Sequence, residues 1–237
     1  MIAVLRRRLR AGYGDDGFTL TELLVTVFVL GILLAGVQTT LIFTQRTVGQ
    51  QSIRIDQEQQ TRLAMEAITK TLRTAVLPSQ LNGTCSSCNL AAFIQGTPTK
   101  VQFYANINND ANVIGPSQVS YVVNSSNQLV ETIQAPNAHA ASDYNYQYCT
   151  PGPGCVVATR VLAYNIVPGS TIFTYYDQAG TSLGTGTLNA SDLALVDSMD
   201  VVVSVSDSAA SKVPPTTFTA RVSLPNADAI AQPSPSP

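Results

Sequence analysis

The chain has little of what enzymes use for acid–base and metal chemistry. Of its 237 residues one is a histidine, and only 12% are Asp, Glu, Lys or Arg. A single histidine excludes a multi-histidine metal site, and His139 has no nucleophile pattern near it that would support a catalytic triad. A phosphate-binding glycine loop is also lacking. We therefore predict a protein that is not an enzyme, with no catalytic residues, no bound metal and no cofactor.

Positive charge is scarce after Pro78. Nine acidic residues follow that proline, against four basic ones: Lys100, Arg160, Lys212 and Arg221. General nucleic-acid binding needs a basic face, so we expect none here, although a small local DNA-binding patch stays open. Low charge together with frequent Gly, Ser, Thr, Asn and Gln is typical of an exposed, β-rich extracellular domain.

One long apolar run lies near the N-terminus. Residues 18–43 are FTLTELLVTVFVLGILLAGVQTTLIF, with Glu22 as the only ionisable side chain. About 20 apolar residues are enough for a helix to cross a ~30 Å hydrocarbon core. Four arginines precede the run and none directly follows it. This asymmetry predicts a single-pass protein of the inner (cytoplasmic) membrane, with a cytoplasmic N-terminus and an extracytoplasmic head.

The junction between the basic leader and the apolar run is GFTLTE, at residues 17–22. It resembles the N-terminus of a type IV prepilin, the precursor form shared by type IV pilins and type II secretion pseudopilins. The resemblance implies that a prepilin peptidase cuts after Gly17, that the new N-terminal Phe18 is N-methylated, and that Glu22 acts in filament assembly. A classical secretory signal would place its cleavage site after the apolar core, whereas here the small residue precedes it.

Glu22 has two possible interpretations from its position alone. A carboxylate about one helical turn into an apolar span costs a few kcal/mol, and such residues tend to be functional. The side chain could reach water at the membrane interface, or it could attract the free α-amino group of Phe18 in its own or a neighbouring subunit. The adjacent Gly17 favours the second interpretation. An ion pair of this kind sets register more than it adds stability.

The helix is expected to continue beyond the membrane, through residues 44–77. This stretch has one glycine and no proline, and good helix formers dominate it. Pro78 is expected to end the helix. Apolar residues spaced by three and four form one stripe: Met65, Ile68, Leu72 and Val76.

After Pro78 the apolar period changes from 3.6 to 2. Alternation predicts strands whose inward-facing residues are Val119, Tyr121 and Val123; Met199, Val201, Val203 and Val205; and Phe218, Ala220, Val222 and Leu224. Further strands are predicted at 101–104, 129–133, 156–164 and 171–176. Turns are predicted at 124–127 and 177–180.

No helical pattern long enough for parallel crossovers intervenes, so the sheet should be antiparallel. We predict an α+β fold, in which a long N-terminal helix, with a transmembrane first half, packs on an antiparallel β-sheet head, as in pilins. The expected segments are a leader at 1–17, a transmembrane or filament-core helix at 18–43, its continuation at 44–77, a β-rich head at 78–226 and a disordered Pro/Ser tail at 227–237.

Four cysteines occur, and an even number on an exported domain favours disulfides. Three connectivities are possible, and we prefer the local pairs Cys85–Cys88 and Cys149–Cys155. A zinc site is the alternative, but the five-residue spacing of the second pair is looser than structural zinc sites use. A redox-active Cys85–Cys88 pair would need a preceding strand and a following helix, and its flanks favour a turn instead.

An Asn-rich loop at residues 106–112 has oxygen side chains at alternate positions, as calcium loops do. An EF-hand loop would carry several carboxylates, with glycine at its sixth position and glutamate at its twelfth. Here the loop has one carboxylate, and those positions hold Ala111 and Ser117. We prefer a solvated loop to a calcium site.

Two further stretches resemble one branch of the prepilin family. The stretch RLAMEAITKTLRTAV at 62–76 and the two-strand pattern at 197–226 resemble the W-type minor pilins (PilW-like) and the J-type minor pseudopilin. The resemblance implies a low-copy subunit that helps to start or tip a filament. Its partners would be other pilins or pseudopilins, a prepilin peptidase, and the membrane assembly platform with its cytoplasmic ATPase.

Two other functional classes stay open. The chain could be a membrane-anchored extracellular binding module that never enters a filament, in which case the uncut leader is a signal anchor. It could also be an anchored hydrolase, which turnover by the purified head would reveal. A plain anchor has no need of Gly17 together with Glu22, and this pair favours the filament subunit.

Overall fold

The computed structural model describes residues 17–81, 91–109, 114–137, 146–150, 152–207 and 213–227. The chain divides between Gly49 and Gln50 into two compact units. The first unit holds the apolar run, and the second, called the head unit below, holds everything from Gln50 onward.

A single helix, α1 (Leu20–Leu72), crosses the division between the units. The predicted long N-terminal helix is therefore confirmed, but it begins two residues later than Phe18. Within the head unit one stripe of α1 is buried: Gln57, Thr61, Ala64, Met65, Ile68 and Leu72. The hydroxyl of Thr61 donates a hydrogen bond to the carbonyl of Gln57 at 2.7 Å, so the threonine enters the core without an unpaired donor.

The prediction that α1 extends to Leu77 was wrong. The helix ends at Leu72. The N–H groups of residues 73–75 still bond to its last turn, but the Val76 N–H donates to the carbonyl of Tyr104 at 2.9 Å. Ala75 forms a β-bridge with Ala105, and the Leu77 N–H donates to the carbonyl of Asn226 at 3.1 Å. Of the predicted stripe, the first three residues lie on α1, and Val76 is buried beyond its end.

The described part of the head unit has two antiparallel sheets and two short helices. The first sheet is a meander in chain order, with strands β1 (Phe93–Gly96), β2 (Lys100–Ala105), β3 (Ser117–Val123), β4 (Leu129–Gln134) and β5 (Ala158–Ala163). The second sheet has the order β6 (Phe173–Tyr176), β7 (Ser198–Val205) and β8 (Thr216–Ser223). The helices are α2 (Pro78–Leu81), which begins at the proline, and α3 (Ala190–Leu193).

The predicted antiparallel pairing is confirmed, and each predicted strand range contains a strand. Strand β1 was missed because its four residues do not alternate: Phe93 and Gly96 at its ends are buried and the two residues between them are less so. We expected one sheet and the described residues form two, because alternation shows which residues share a face but does not show which strands pair.

Both predicted turns are confirmed. In the first, the Asn124 side-chain oxygen accepts from the backbone N–H groups of Ser126 and Gln128 at 2.9 Å, and Asn127 has a φ of 54°. In the second, the Gly180 N–H donates to the carbonyl of Asp177 at 2.9 Å, with a φ of 76° at the glycine. Asn and Gly adopt positive φ most readily, so their positions decide where the chain reverses.

The predicted inward face of β8 is only partly right. Val222 and Leu224 are buried, and Ala220 is half-buried, but Phe218 is 37% exposed. Strand β8 lies at an edge of its sheet, so its N-terminal half has a neighbouring strand on one side only. In this strand the alternation predicts correctly which residues share one side of the sheet, but it does not predict how deeply each side chain is buried.

The two sheets and the C-terminal half of α1 share one hydrophobic core. Gly96, at the end of β1, marks a close approach between the sheets. A Cβ at this position would lie 3.0 Å from Leu188 and 3.1 Å from the ring of Tyr175. The Tyr175 hydroxyl in turn donates to the carbonyl of Thr97 at 3.0 Å. Any larger residue at 96 would separate the sheets at this contact.

A carboxylate lies inside this core. Glu131 on β4 is 1% exposed and is directly paired in register with Tyr121 on β3 and Arg160 on β5. The Tyr121 hydroxyl donates to one carboxylate oxygen at 2.8 Å, and the Arg160 guanidinium donates to both oxygens. A buried carboxylate is tolerated only with such partners.

Leu72→Ala should lower the free energy of unfolding of the head unit by about 2–5 kcal/mol, because it leaves a cavity in a packed core. Leu63→Ala, on the same helix, is the matched control. Leu63 is 65% exposed, whereas Leu72 is fully buried, and loss of Leu63 should cost less than about 1 kcal/mol. Both free-energy losses are measured by denaturing the full chain in a nonionic detergent. The near-ultraviolet signal of the tyrosines reports the unfolding. Equal losses would contradict the assigned buried face.

Alkaline pH should destabilise the head unit. Burial raises the pKa of Tyr121, Tyr148 and Tyr175 above the ordinary value of 10.0. The protonated phenols contribute fully below pH 10, and this contribution is lost as the pH rises further, because the unfolded chain releases protons that the folded chain keeps. The free energy of unfolding should fall by up to about 1.4 kcal/mol per pH unit for each tyrosine.

Denaturant unfolding between about pH 8 and pH 11 measures this slope. Tyr175→Phe should reduce the slope by about a quarter to a third, since burial also raises the pKa of Tyr146 and the variant removes one of four such phenols. A stability that stays constant across the whole range would contradict the burial of these hydroxyls.

Candidate functional site

The predicted processing junction lies in non-helical backbone. Gly17, Phe18 and Thr19 precede α1, and the Phe18 side chain is 76% exposed. A Cβ built at Gly17 would meet no described atom within 4 Å. An exposed segment outside a helix is the kind of backbone that a peptidase can bind in extended form. The leader arginines before Gly17 lie outside the described residues.

Thr19 caps the N-terminus of α1. Its carbonyl accepts from the N–H groups of Glu22 at 3.0 Å and Leu23 at 3.2 Å, and its hydroxyl accepts from the Glu22 N–H at 3.3 Å. Sequence analysis missed this role, although Thr-x-x-Glu is the pattern of a capping box. Glu22 thus lies in the first turn of the helix, where a negative charge is favourable beside the unpaired N–H groups.

The helix surface that follows is apolar and bare. The most apolar 18-residue window of α1 has a mean hydropathy of 2.4 and is 0% buried, so by length and composition α1 could span a membrane. Hydroxyls on this surface are satisfied internally: Thr39 donates to the carbonyl of Ala35 at 2.8 Å, and Thr40 to that of Gly36 at 3.0 Å. Neither hydroxyl needs water, which suits an apolar environment.

The same surface has a shallow apolar groove at Gly36. It is lined by Ile32, Leu33, Gly36, Val37, Thr40 and Leu41. A Cβ added at Gly36 would meet nothing within 4 Å, so the surface at this residue is open. Small residues let helices approach closely in membranes.

One of the two predicted disulfides lies within the described residues. Cys149 and Cys155 are bonded, with 5.6 Å between their Cα atoms, a distance typical of disulfides. The Gln134 side-chain amide donates to the carbonyl of Cys149 and lies 3.4 Å from its sulfur. Cys85 and Cys88 lie outside the described residues, so their pairing stays a prediction. Of the three possible connectivities, the 85–88 pairing is the one that is compatible with a Cys149–Cys155 bond.

The possible metal and catalytic positions gain no support from the described residues. In the Asn-rich loop the Asn109 side-chain oxygen accepts from the N–H groups of Ile114 at 3.0 Å and Gly115 at 2.9 Å. The Asn109 amide donates to the Asn106 side-chain oxygen at 2.8 Å, so both oxygens hold the loop together. Residues 110–112 and His139 lie outside the described residues. Among the described residues, no three His, Cys, Asp or Glu side chains are grouped so as to hold a metal ion.

Two of the basic residues that the structure describes after Pro78, Arg160 and Arg221, form ion pairs. Besides the Arg160 contact, Arg221 on β8 donates to both carboxylate oxygens of Asp200 on β7, at 2.7 and 2.8 Å. The hydrogen bond from Arg221 holds the pKa of Asp200 below its usual value. The guanidinium also lies 4.2 Å from the ring centre of Tyr176. Single-sequence periodicity could not show these pairs, because they depend on strand register.

Comparison with known families gives one match, which covers a short part of the chain. The family described as the prokaryotic N-terminal methylation motif matches residues 14–37. The match includes the non-helical junction, the capped helix start and the first part of the bare apolar surface. No curated protein matches the chain.

Breaking the Cys149–Cys155 bond should lower the free energy of unfolding by about 2 kcal/mol, the value expected for so short a loop. The double variant Cys149→Ser, Cys155→Ser tests this in denaturant, and the variant Cys85→Ser, Cys88→Ser is measured in parallel. Peptide masses without reduction should show a 149–155 bond in the wild type and a separate 85–88 bond. A peptide linking one pair to the other would contradict both assignments.

Proposed function

Because this chain carries the N-terminal methylation motif of the type IV prepilin and pseudopilin family, we propose that it is a structural filament subunit. It is a prepilin-type minor pilin or pseudopilin. It enters a type IV pilus or a type II secretion-like filament after the leader is removed and Phe18 is N-methylated. The membrane holds the precursor until then, with its head on the extracytoplasmic side.

The observation that carries this proposal is the bare apolar surface that begins directly behind the matched junction. In water such a surface costs about 25 cal/mol for each Å² left exposed, so it requires lipid or other helices around it. Residues 20–43 meet that requirement in the membrane first and in a bundle of subunit helices afterwards. The groove at Gly36 offers one place where a neighbouring helix can approach closely.

Glu22 fits the assembly role on chemical grounds. It is the only ionisable residue of the apolar run, and it lies in the first turn of α1. Cleavage after Gly17 creates an amine on Phe18, four residues before this carboxylate. The pair can form within one subunit or between neighbours, and in an apolar surrounding each charge needs the other.

The resemblance of residues 62–76 and 197–226 to W-type minor pilins and the J-type minor pseudopilin supports a low-copy role. The proposed partners are other pilins or pseudopilins, a prepilin peptidase, and the assembly platform with its ATPase. The competing candidate is a membrane-anchored binding module whose leader is never cut. An anchor role would explain the apolar helix, but it would not explain why Gly17 and Glu22 occur together.

Mass spectrometry of the N-terminal peptide, in membranes and in sheared surface material, tests the proposal. A peptide that begins at N-methylated Phe18 in the sheared fraction is expected, at low abundance relative to other pilins if the subunit is minor. An intact leader beginning at Met1, confined to the membrane, would sink the filament proposal and leave the anchored module.

Glu22→Ala should reduce incorporation into sheared filaments by about tenfold or more, equivalent to about 1.4 kcal/mol of lost interaction. Cleavage after Gly17 should continue, because the peptidase acts on the junction before the helix. Glu58→Ala is the matched control on the same helix, since Glu58 is exposed and pairs only with Arg54 four residues earlier among the ion pairs described. Equal incorporation of the wild type and the Glu22 variant would refute the assembly role.

A further inference from the structure

The residue that caps α1 lies two positions after the peptide bond that the prepilin peptidase is proposed to cut. Thr19 directly precedes Leu20, the first residue of the helix. Its hydroxyl accepts from the Glu22 N–H at 3.3 Å, and its carbonyl accepts from the same N–H at 3.0 Å. Gly17 and Phe18 come before this cap and are not helical. The cap therefore separates the helix from the backbone that carries the processing site.

The sequence offers a second N-cap three positions earlier. Asp16 directly precedes Gly17, and aspartate is at least as good an N-cap as threonine. Asp16 itself lies outside the described residues. A helix that started after it would include Gly17 and Phe18 in its first turn, at the cost of placing a glycine in a helix. The two starting points therefore compete, and the described helix begins at the later one, behind Thr19.

Loss of the Thr19 hydroxyl should move the helix start toward Asp16. The Glu22 N–H would lose one acceptor, and in apolar surroundings a backbone N–H needs a partner inside the chain. A longer helix supplies that partner, because the carbonyl of Phe18 lies four residues before Glu22. The same extension places the bond between Gly17 and Phe18 in helical backbone.

The position of the helix start matters to a peptidase. Extended backbone presents its N–H and C=O groups to a binding cleft, whereas helical backbone bonds these groups to one another. A peptide bond inside a helix is cut only in the fraction of molecules in which that turn is unwound, when unwinding is fast compared with cleavage. The population of the extended junction therefore limits the cleavage rate.

We propose that Thr19 is a positioning residue for processing. Its cap holds the helix start at Leu20 and keeps the bond between Gly17 and Phe18 in extended form for the prepilin peptidase. Hydrolysis then breaks this bond, adding the hydroxyl of water to the Gly17 carbonyl carbon and a proton to the Phe18 nitrogen. Thr19 acts through the backbone conformation and touches no reacting atom. The proposal rests on the proposed function, since it assumes cleavage after Gly17.

Two substitutions at Thr19 separate its hydrogen-bond acceptor from its shape. Thr19→Val keeps the branched shape without the acceptor, and Thr19→Asn keeps a capping acceptor without the shape. Cleavage of the pulse-labelled full chain is followed in membranes of the cells that produce it. We expect Thr19→Val to slow cleavage about fivefold, the equivalent of about 1 kcal/mol of capping, and Thr19→Asn to be cut at close to the wild-type rate.

The matched control is Thr26→Val, later on the same exposed helix surface. The Thr26 hydroxyl donates to the carbonyl of Leu23 at 2.8 Å and caps nothing, so this variant should be cut as the wild type is. Adding Asp16→Ala to Thr19→Val removes the competing cap and should restore most of the lost rate. Asp16→Ala alone measures any direct effect of that charge on the peptidase.

A spectroscopic readout tests the helix start without any cleavage. Gly-Phe occurs once in the sequence, so a precursor labelled with carbonyl-¹³C glycine and ¹⁵N phenylalanine gives one signal for the bond between Gly17 and Phe18. In the full chain in a nonionic detergent, the carbonyl shift should move toward helical values in Thr19→Val. It should stay at the wild-type position in Thr19→Asn.

Three results would overturn the proposal while leaving the proposed function intact. They are cleavage of Thr19→Val at the wild-type rate, equally slow cleavage of Thr19→Val and Thr19→Asn, and a carbonyl signal that does not move in Thr19→Val. The second result would mean that the peptidase reads the threonine itself. A wild-type chain that is never cut would instead refute the proposed function, so the two failures are distinguishable.

Discussion

A helix that is apolar on every side is stable only where lipid or other apolar helices surround it, and the first half of α1 is such a helix. Its backbone groups bond to one another, and its threonine hydroxyls bond to carbonyls four residues earlier. Glu22 is the exception, because its carboxylate cannot be satisfied by the helix interior. An ionisable group at this position needs a partner in an apolar surrounding, and the free amine of Phe18 is the partner that we propose.

From Gln57 onward the same helix is stabilised by packing against the head unit. One stripe faces the sheets and joins their core, while charged residues occupy the remaining surface. Buried polar side chains of the head unit form hydrogen bonds. Glu131 has Tyr121 and Arg160, and Thr61 bonds to its own helix. Gln57 is the member whose amide is incompletely satisfied within the described residues.

Local patterns were enough to predict the long helix, its buried stripe and the antiparallel strands, because each depends on residues close in sequence. What failed depends on partners far along the chain. The end of α1 is decided by bonds from Ala75 and Leu77 to distant strands and turns. The burial of Glu131 depends on which residues lie opposite it on β3 and β5. The cap at Thr19 was predictable, since its Thr-x-x-Glu pattern is entirely local.

The hydrogen bond from Leu77 to Asn226 connects the first residues after α1 to the last described turn of the head unit. The meander of the first sheet needs only neighbours in chain order, so it can grow strand by strand as the chain emerges. The Leu77 contact can form only after Asn226 has been added to the chain. Closing a loop that long costs only about 0.6 kcal/mol more than closing one of half the length. The head can therefore assemble from local contacts to non-local ones, and the hydrogen bond between Leu77 and Asn226 is among the last to form.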